Sequence, residues 1–372
     1  MRAVDAVVDA LAMRPGPPVS WIVGDPCFEP PPELTEAFAR AAQSPPFPYP
    51  PPGGLPALRE TLAERFAEEG YCVAPDNITI TSGAKCGLLA LFATLLEPDD
   101  ELIHPQPCYP AYPAMASRLG ARPVAVAQPD GSFSGWSEAV ARRIGPRTRA
   151  VVLASPSNPT GATLDTTEAR ALVELCSAHG IRLICDEAYV NFRFSTDRQA
   201  FPIDLDQDLS TVVRVRSASK SWAVCAWRLG WVTTNPSLAA RVALTHSSLL
   251  NPASGPAQAA LCALPEVSAS YLESARSMVA DRMDELCTAL ERAGHPVKKP
   301  EGGFYLWFDL TDLDPTEAVD SARWSVEVAR RTGVGLWPGD DFGGPGHVRI
   351  SVTAPSAASW QSAVRSLMEA LE

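Results

Sequence analysis

Lys220 ends the run STVVRVRSASK, whose β-branched residues read as an apolar strand, and SWAVCAWRLG follows it. An ammonium group at the end of such a strand is expensive to desolvate unless it is paired. Partial burial would lower its pKa and leave a nucleophilic amine, the starting point of Schiff-base chemistry. Pointing into solvent, it would be an ordinary strand-end lysine, and the segment alone allows either reading. Ser217 and Ser219 supply hydroxyls beside it, and Arg228 follows further along the chain. Serine, lysine and arginine converging from one strand and its loop suit a phosphorylated aldehyde. Only four of the 31 basic residues are lysine, at 85, 220, 298 and 299. Codon bias accounts for such a ratio, yet it leaves few amines for any reaction that needs one.

Three further constellations end apolar runs. In ITSGAKCGLLALF a strand closes at Thr81 and Ser82-Gly83-Ala84 leads into an apolar helix. Backbone N–H groups at a helix N-terminus, beside a small residue, form an anion site, although strand–glycine–helix turns also occur without one. SPSNPTG, from Ser155 to Gly161, presents the amide of Asn158 to a phenolate or carboxylate, or is simply a turn. In CDEAY, Asp186 follows the run RLIC and Tyr189 lies three residues on. An aspartate at a sheet end can keep a pyridine nitrogen protonated and make the ring an electron sink. The same pair could equally be a helix cap or a solvated edge.

The elements that position these groups alternate between strand and helix. NITIT (Asn77 to Thr81), ELIHP (Glu101 to Pro105), RPVAVA (Arg122 to Ala127) and RAVVLAS (Arg149 to Ser155) are short, β-branched runs bounded by turns. RLICDEAY (Arg182 to Tyr189), STVVRVRS (Ser210 to Ser217) and RLGWVTT (Arg228 to Thr234) continue the series, with helical stretches such as 85–96 and 166–179 between them. That alternation predicts an α/β fold with a mostly parallel central sheet covered on both faces. Beyond Pro256 a long amphipathic segment, GGFYLWFDL, a further helix, HVRISVT and a closing helix predict a smaller α+β unit. We expect an N-terminal segment (1–45) joining the small domain, a large domain (46–265) and a small C-terminal domain (266–372).

Composition narrows the function classes. A net charge of −12 argues against a broad surface for nucleic acid or anionic membrane. The nine cysteines show neither CxxC spacing nor a zinc grouping with the five histidines, so free thiols in a reducing cytoplasm are expected. The N-terminal residues lack a continuous apolar stretch and do not read as a signal peptide, and no apolar run reaches the ~20 residues of a membrane span.

Taken in order, these motifs resemble the fold-type I enzymes that use pyridoxal 5'-phosphate (PLP), specifically the class I/II aminotransferases related to aspartate aminotransferase. The resemblance also covers Gly24-Asp25-Pro26-Cys27-Phe28, the segment from Tyr49 to Arg59 (YPPPGGLPALR), Pro107-Cys108-Tyr109 and Arg349-Ile350-Ser351. It implies that Lys220 holds the cofactor as a Schiff base and moves the Cα proton. Asp186 would pair with the pyridine nitrogen, Asn158 and Tyr189 with the phenolate oxygen, and Tyr109 would stack on the ring. The backbone at Gly83, Ala84 and Lys85, with Ser217, Ser219 and Arg228, would hold the phosphate. Tyr49 would reach the cofactor phosphate of the other subunit of a homodimer. Arg349, Asn158 and Gly24 would clamp the α-carboxylate of the amino-acid donor or 2-oxo-acid acceptor. By the same resemblance the Asn158–Pro159 peptide, and Gln106–Pro107, are expected to be cis.

Several positions depart from the family pattern. Cys27 stands where an acid or amide is frequent, Ala226 where glycine is usual, and Pro50 to Pro52 stiffen the loop after Tyr49. Aspartate-specific relatives reach the distal carboxylate with an arginine from a segment that is THSSLLNPAS here, Thr245 to Ser254, without arginine or lysine. A buried distal carboxylate would then lack its cation. Trp21, Phe28, Leu250 and Trp337 are expected as apolar walls, and Asp25 and Glu29 as partners for a basic group or as solvated loop charges. An apolar or basic amino acid therefore fits better than aspartate. A lyase, cyclase or oxidase could use the same constellation, because Cα deprotonation is common to all. A non-catalytic PLP-sensing regulator would need an added basic domain, and a nicotinamide dehydrogenase would need a GxGxxG after a strand.

Overall fold

Strands form where β-branched and apolar residues run between turn formers. In chain order they are β1 (Val19–Ser20), β2 (Ile78–Thr81), β3 (Glu101–Gln106), β4 (Arg122–Ala127), β5 (Thr148–Ala154), β6 (Arg182–Asp186), β7 (Val212–Ser217), β8 (Gly230–Thr233), β9 (Tyr305–Asp309), β10 (Val334–Gly335), β11 (Trp337–Pro338) and β12 (His347–Ser351). The computed structural model describes residues 2–14, 18–46, 48–195, 206, 208–313, 319–353 and 356–371.

Seven strands make the central sheet, in the order β2-β8-β7-β6-β5-β3-β4. All neighbours are parallel except β8, which runs antiparallel to both β2 and β7. The C-terminal ends of β2, β3, β5, β6 and β7 thus share one edge, and the reversed β8 starts from that edge. Ligands of open α/β sheets bind at such an edge. The central strands are buried on both faces. Ala150 and Val152 of β5 join one apolar cluster with the helix Ala84–Leu95, and Val151 and Leu153 join another with the helix Thr166–His179. That burial explains their continuous apolar runs.

A second layer gathers around the antiparallel sheet β11-β12-β9. The helices Tyr271–Arg292 and Ala357–Leu371 cover it, and Trp21, Phe192, Phe304 and Trp360 share its core. The N-terminal chain contributes to this part. Val4, Val7 and Leu11 of the helix Ala3–Ala12 pack with Ala329, and β1 pairs with β10. Asp341 caps that helix, its carboxylate accepting from the amides of Ala3 and Val4 at 2.9 and 3.0 Å. The helix Pro32–Ala42, in contrast, lies against Gly255–Leu261.

Two of the expected strands are three residues shorter in the structure. The run from Arg182 to Tyr189 leaves the sheet after Asp186, whose Oδ1 accepts from the amide of Ala188 and turns the chain. The run from Arg228 enters it only at Gly230. Lys220 is not on the strand itself but on the short helix Ala218–Ser221, opened by Ser217, whose Oγ accepts from the amide of Ser219. The peptides Gln106–Pro107 and Asn158–Pro159 are cis as expected, and so are Pro45–Pro46 and Ser155–Pro156.

Candidate active site

The shared strand edge opens into a cavity of about 270 Å³ between the central sheet and the second layer. Gly24, Ala84, Lys85, Tyr109, Asn158, Asp186, Tyr189, Ser217, Ser219, Lys220, Arg228 and Arg349 all line it. Residues from seven separate stretches of sequence therefore meet, all but Arg349, which sits in the middle of β12, coming from a strand end or the turn or loop beside one.

At the floor, β6 carries Asp186 into a fully buried position. Tyr112 donates to its Oδ2 at 2.7 Å, and among the described residues no cation lies within ion-pair distance of it. Burial pushes the carboxyl up to about 6, against the lowering pull of the Tyr112 and Ala188 hydrogen bonds. A buried carboxylate that lacks a counter-charge is primed for a cationic hydrogen-bond donor.

Lys220, one fifth exposed, reaches across the cavity. Its Nζ donates to the Gly24 carbonyl at 2.8 Å and lies 3.7 Å from Cys225 Sγ and 3.8 Å from Asp25 Oδ1. Gly24 must be glycine, because a Cβ there would collide with the Tyr305 hydroxyl.

On one side, Gly83 and Ala84 open the helix Ala84–Leu95. Gly83 has φ +85°, and a Cβ would lie 2.6 Å from Arg228 Nη2, so the guanidinium packs onto the bare turn. Arg228 itself holds a left-handed φ of 55°, uncommon for a residue with a side chain. Ser219 Oγ is buried without a partner. A helix N-terminus, an arginine and an unsatisfied hydroxyl could together cradle a phosphate. His246, wholly buried and held neutral by that burial, supports the turn by accepting from the Ser82 amide at 3.0 Å.

Opposite, β12 carries Arg349, 2% exposed, into the cavity wall. It donates to Asn158 Oδ1 at 3.0 Å and to the Ile22 carbonyl. Tyr189 and Tyr305 share a hydrogen bond of 2.6 Å between their hydroxyls. Tyr109 stands edge-on to Tyr112, and burial followed by the Asp186 charge raises its hydroxyl to about 12.

Some expected positions lie elsewhere. Trp21 is fully buried against Trp360 in the second layer, 5.1 Å between ring centroids, and is not a pocket wall. Phe28 stacks on Phe192 in the same core. Leu250 and Glu29 are exposed away from the cavity, the Glu29 carbonyl accepting from Tyr271. Of those six, only Asp25 and Trp337 line the cavity. Tyr49 is 82% exposed and does not line it either. The sequence reasoning missed Tyr112, Tyr305 and His246. Tyr112 had a signal, since it follows Tyr109 by one helical turn on a helix starting at Ala111.

Comparison with known proteins gives the site its context. The family profile "Aminotransferase class I and II" matches residues 17–367. The probable aspartate/prephenate aminotransferase of Thermus aquaticus is 34% identical over 341 residues, covering 90% of this chain and 86% of that protein. The arginine–pyruvate transaminase of Pseudomonas aeruginosa is 32% identical over 335 residues, covering 89% and 84%. Among solved structures, a single-mutant form of Thermus thermophilus aspartate aminotransferase superposes with a TM-score of 0.91 at 31% identity, covering 100% of this chain and 97% of that one. Enzymes of this kind use PLP, and the cavity fits it. Asp186 lacks a cation for a ring nitrogen to supply, the phosphate cradle has an orphaned hydroxyl, and Lys220 offers its amine between them. The chain belongs to the class I and II aminotransferases, PLP-dependent enzymes that exchange amino groups between amino acids and 2-oxo acids.

Proposed function

We propose that the protein transaminates an L-amino acid with a basic or apolar side chain in preference to aspartate, with Lys220 as the cofactor lysine and proton carrier. The observation that carries the preference is Asp25, the only acid besides Asp186 among the described residues that line the cavity. Its side chain is two-thirds exposed, and Val23, Leu88 and Trp337 line the same cavity, so a long apolar stem with or without a terminal cation suits the space.

In this reading Asp186 holds the protonated ring nitrogen, Tyr189 and Asn158 the phenolate oxygen, and Tyr109 the ring face. Ala84 and Lys85 offer backbone N–H groups to the phosphate, while the Gly83 amide, expected to join them, donates to the Thr81 carbonyl at 2.7 Å and shapes the turn; Ser217, Ser219 and Arg228 close around the phosphate. Arg349 takes the α-carboxylate, and Gly24 keeps the backbone close. When bound, the cofactor supplies an aldehyde carbon and an electron-withdrawing ring. The chain's part is to orient the Cα–H bond towards Lys220 Nζ, which carries the proton. Residues 46–265, with the helix Pro32–Ala42 against them, would then be the cofactor-binding domain, and 266–372 with the helix Ala3–Ala12 and β1 the part that brings Arg349.

The reading includes a homodimer. Tyr49, Leu244 and Leu249 are more than half exposed, and a second copy that covered them would bring Tyr49 to the neighbouring phosphate. Sedimentation of a fully active monomer would remove that element.

A second reading has its own support. Lys85 is among the residues that line the cavity, and a distal carboxylate would suit a cation there. The aspartate/prephenate names of several relatives point the same way. Comparing kcat/KM for L-arginine, L-leucine, L-phenylalanine and L-aspartate separates the two. A tenfold lead for aspartate, lost in Lys85→Ala, would replace the first reading with the second.

A further inference from the structure

Arg349 is a buried cation without a carboxylate partner among the described residues. It donates to two oxygens, and its Nε has no acceptor. What surrounds the guanidinium is aromatic. Tyr305 lies 3.9 Å from it, Trp337 4.5 Å and Phe342 5.0 Å, measured to ring centroids. Electron-rich ring faces stabilise a cation most where water is excluded.

Trp337 differs from the other two rings in being held by a charge. It is the direct cross-strand partner of Arg349 in the β11–β12 pair, so both side chains stand on one face. Its indole Nε1 donates to Asp341 Oδ2 at 2.8 Å. The same carboxylate caps the helix Ala3–Ala12 through Ala3 and Val4. A cap needs only its backbone partners, whereas this one is also turned to a ring that faces the cavity. A carboxylate on the indole N–H fixes the plane of the ring and raises the electron density of the face that meets Arg349.

We infer that Asp341 is a positioning residue for substrate binding: through Trp337 it sets the orientation and strength with which Arg349 holds an α-carboxylate. The N-terminal helix, by fixing Asp341, is part of the substrate-binding apparatus although it lies outside the cavity. This rests on the assignment of Arg349 to the α-carboxylate, and the test separates the two.

The cofactor-loaded enzyme is titrated with L-leucine and L-arginine, and with their decarboxylated counterparts isoamylamine and agmatine, following the cofactor absorbance. Asp341→Asn and Trp337→Phe should each weaken amino-acid binding about five- to tenfold. Both should leave the amines within about twofold, because these have no carboxylate for Arg349 to hold. The double variant should be no weaker than the worse single one, since both cut the same relay. Trp337→Phe leaves the helix cap intact and so serves even if Asp341→Asn unseats the N-terminal helix. Unchanged amino-acid binding in either variant, or equal weakening of amines and amino acids, overturns the inference. Arg349→Gln is the control. If it leaves amino-acid binding intact, the carboxylate assignment falls and the relay with it. If it weakens binding while the other two variants do not, the relay alone falls.

Discussion

Asp186 and Glu187 are adjacent in sequence, both buried, and placed in opposite electrostatic surroundings. Glu187 turns behind the sheet into a closed network. It bonds Arg214 at 2.7 Å and Arg216 at 2.9 Å, and Arg216 continues to Glu69. The rings of Phe66 and Tyr71 flank these guanidinium groups at 4.6–5.1 Å. The two arginines offset the cost of burying Glu187 and hold its carboxyl below the ordinary range. Asp186 turns into the cavity, meets a tyrosine hydroxyl and a backbone amide but no cation among the described residues, and burial raises it. The pair shows how one strand end serves two purposes. A charge balanced within the protein contributes to the fold, and a charge left unbalanced is available to a ligand.

Substitutions sharpen that contrast, beginning with the cavity. Lys220→Ala should lower kcat by about 10⁴-fold while the cofactor still binds, because in the proposed reading Nζ is the group that carries the proton. Single-turnover absorbance would show it, and activity within tenfold of the parent would contradict the assignment. Behind the sheet, Glu187→Gln should cost about 3–5 kcal/mol, since it leaves two buried arginines undercompensated. The loss appears as a lower Tm, with the folded fraction keeping most of its kcat. A large kcat loss at unchanged Tm would mean that the network is part of the chemistry. Asp186→Asn should invert that pattern, losing about 10²–10³-fold in kcat with little change in the Tm of the cofactor-free protein.

The smallest effect belongs to Tyr112→Phe. The hydroxyl lowers the Asp186 pKa, so its removal should raise it further above about 6. Cofactor capture that needs the ionised carboxylate would then move to higher pH. The linkage has a definite sign. In the cofactor-free protein the folded-state pKa of Asp186 exceeds the ordinary 3.8, so the folded form binds this proton more tightly than the unfolded one. The group's contribution to stability is therefore greatest at low pH and is lost as the pH rises through about 6. Thermal melts between pH 4 and 7, with and without PLP, would test this, and an identical pH profile for Tyr112→Phe would refute the hydrogen bond's role.

The sheet was legible because buried strands need β-branched runs and turns need their own residues. The positions of Asn158, Asp186, Lys220 and Arg228 followed from strand ends. The direction of β8 was not legible, since a four-residue strand has the same composition whichever way it runs. The Glu187 network was also hidden, because Glu69, Arg214 and Arg216 are brought together only by the tertiary fold. Trp21 and Phe28 were misplaced for a related reason. They lie on either side of Gly24 but pack into the second layer, while the stretch between them, Val23 to Asp25, lines the cavity.

The reversed strand β8 also bears on the order of assembly. Ile78–Thr81 finds its only strand partner, among the described residues, in Gly230–Thr233. On a ribosome that synthesises the chain from its N-terminus, β2 can pack on the helix Pro56–Glu68 but has no strand partner until some 150 residues later. Closing so long a loop is slow compared with local pairing. The phosphate cradle, whose residues come from both sides of that loop, would be completed late, and a nascent chain stopped before Gly230 would carry Lys220 but no finished place for a phosphate.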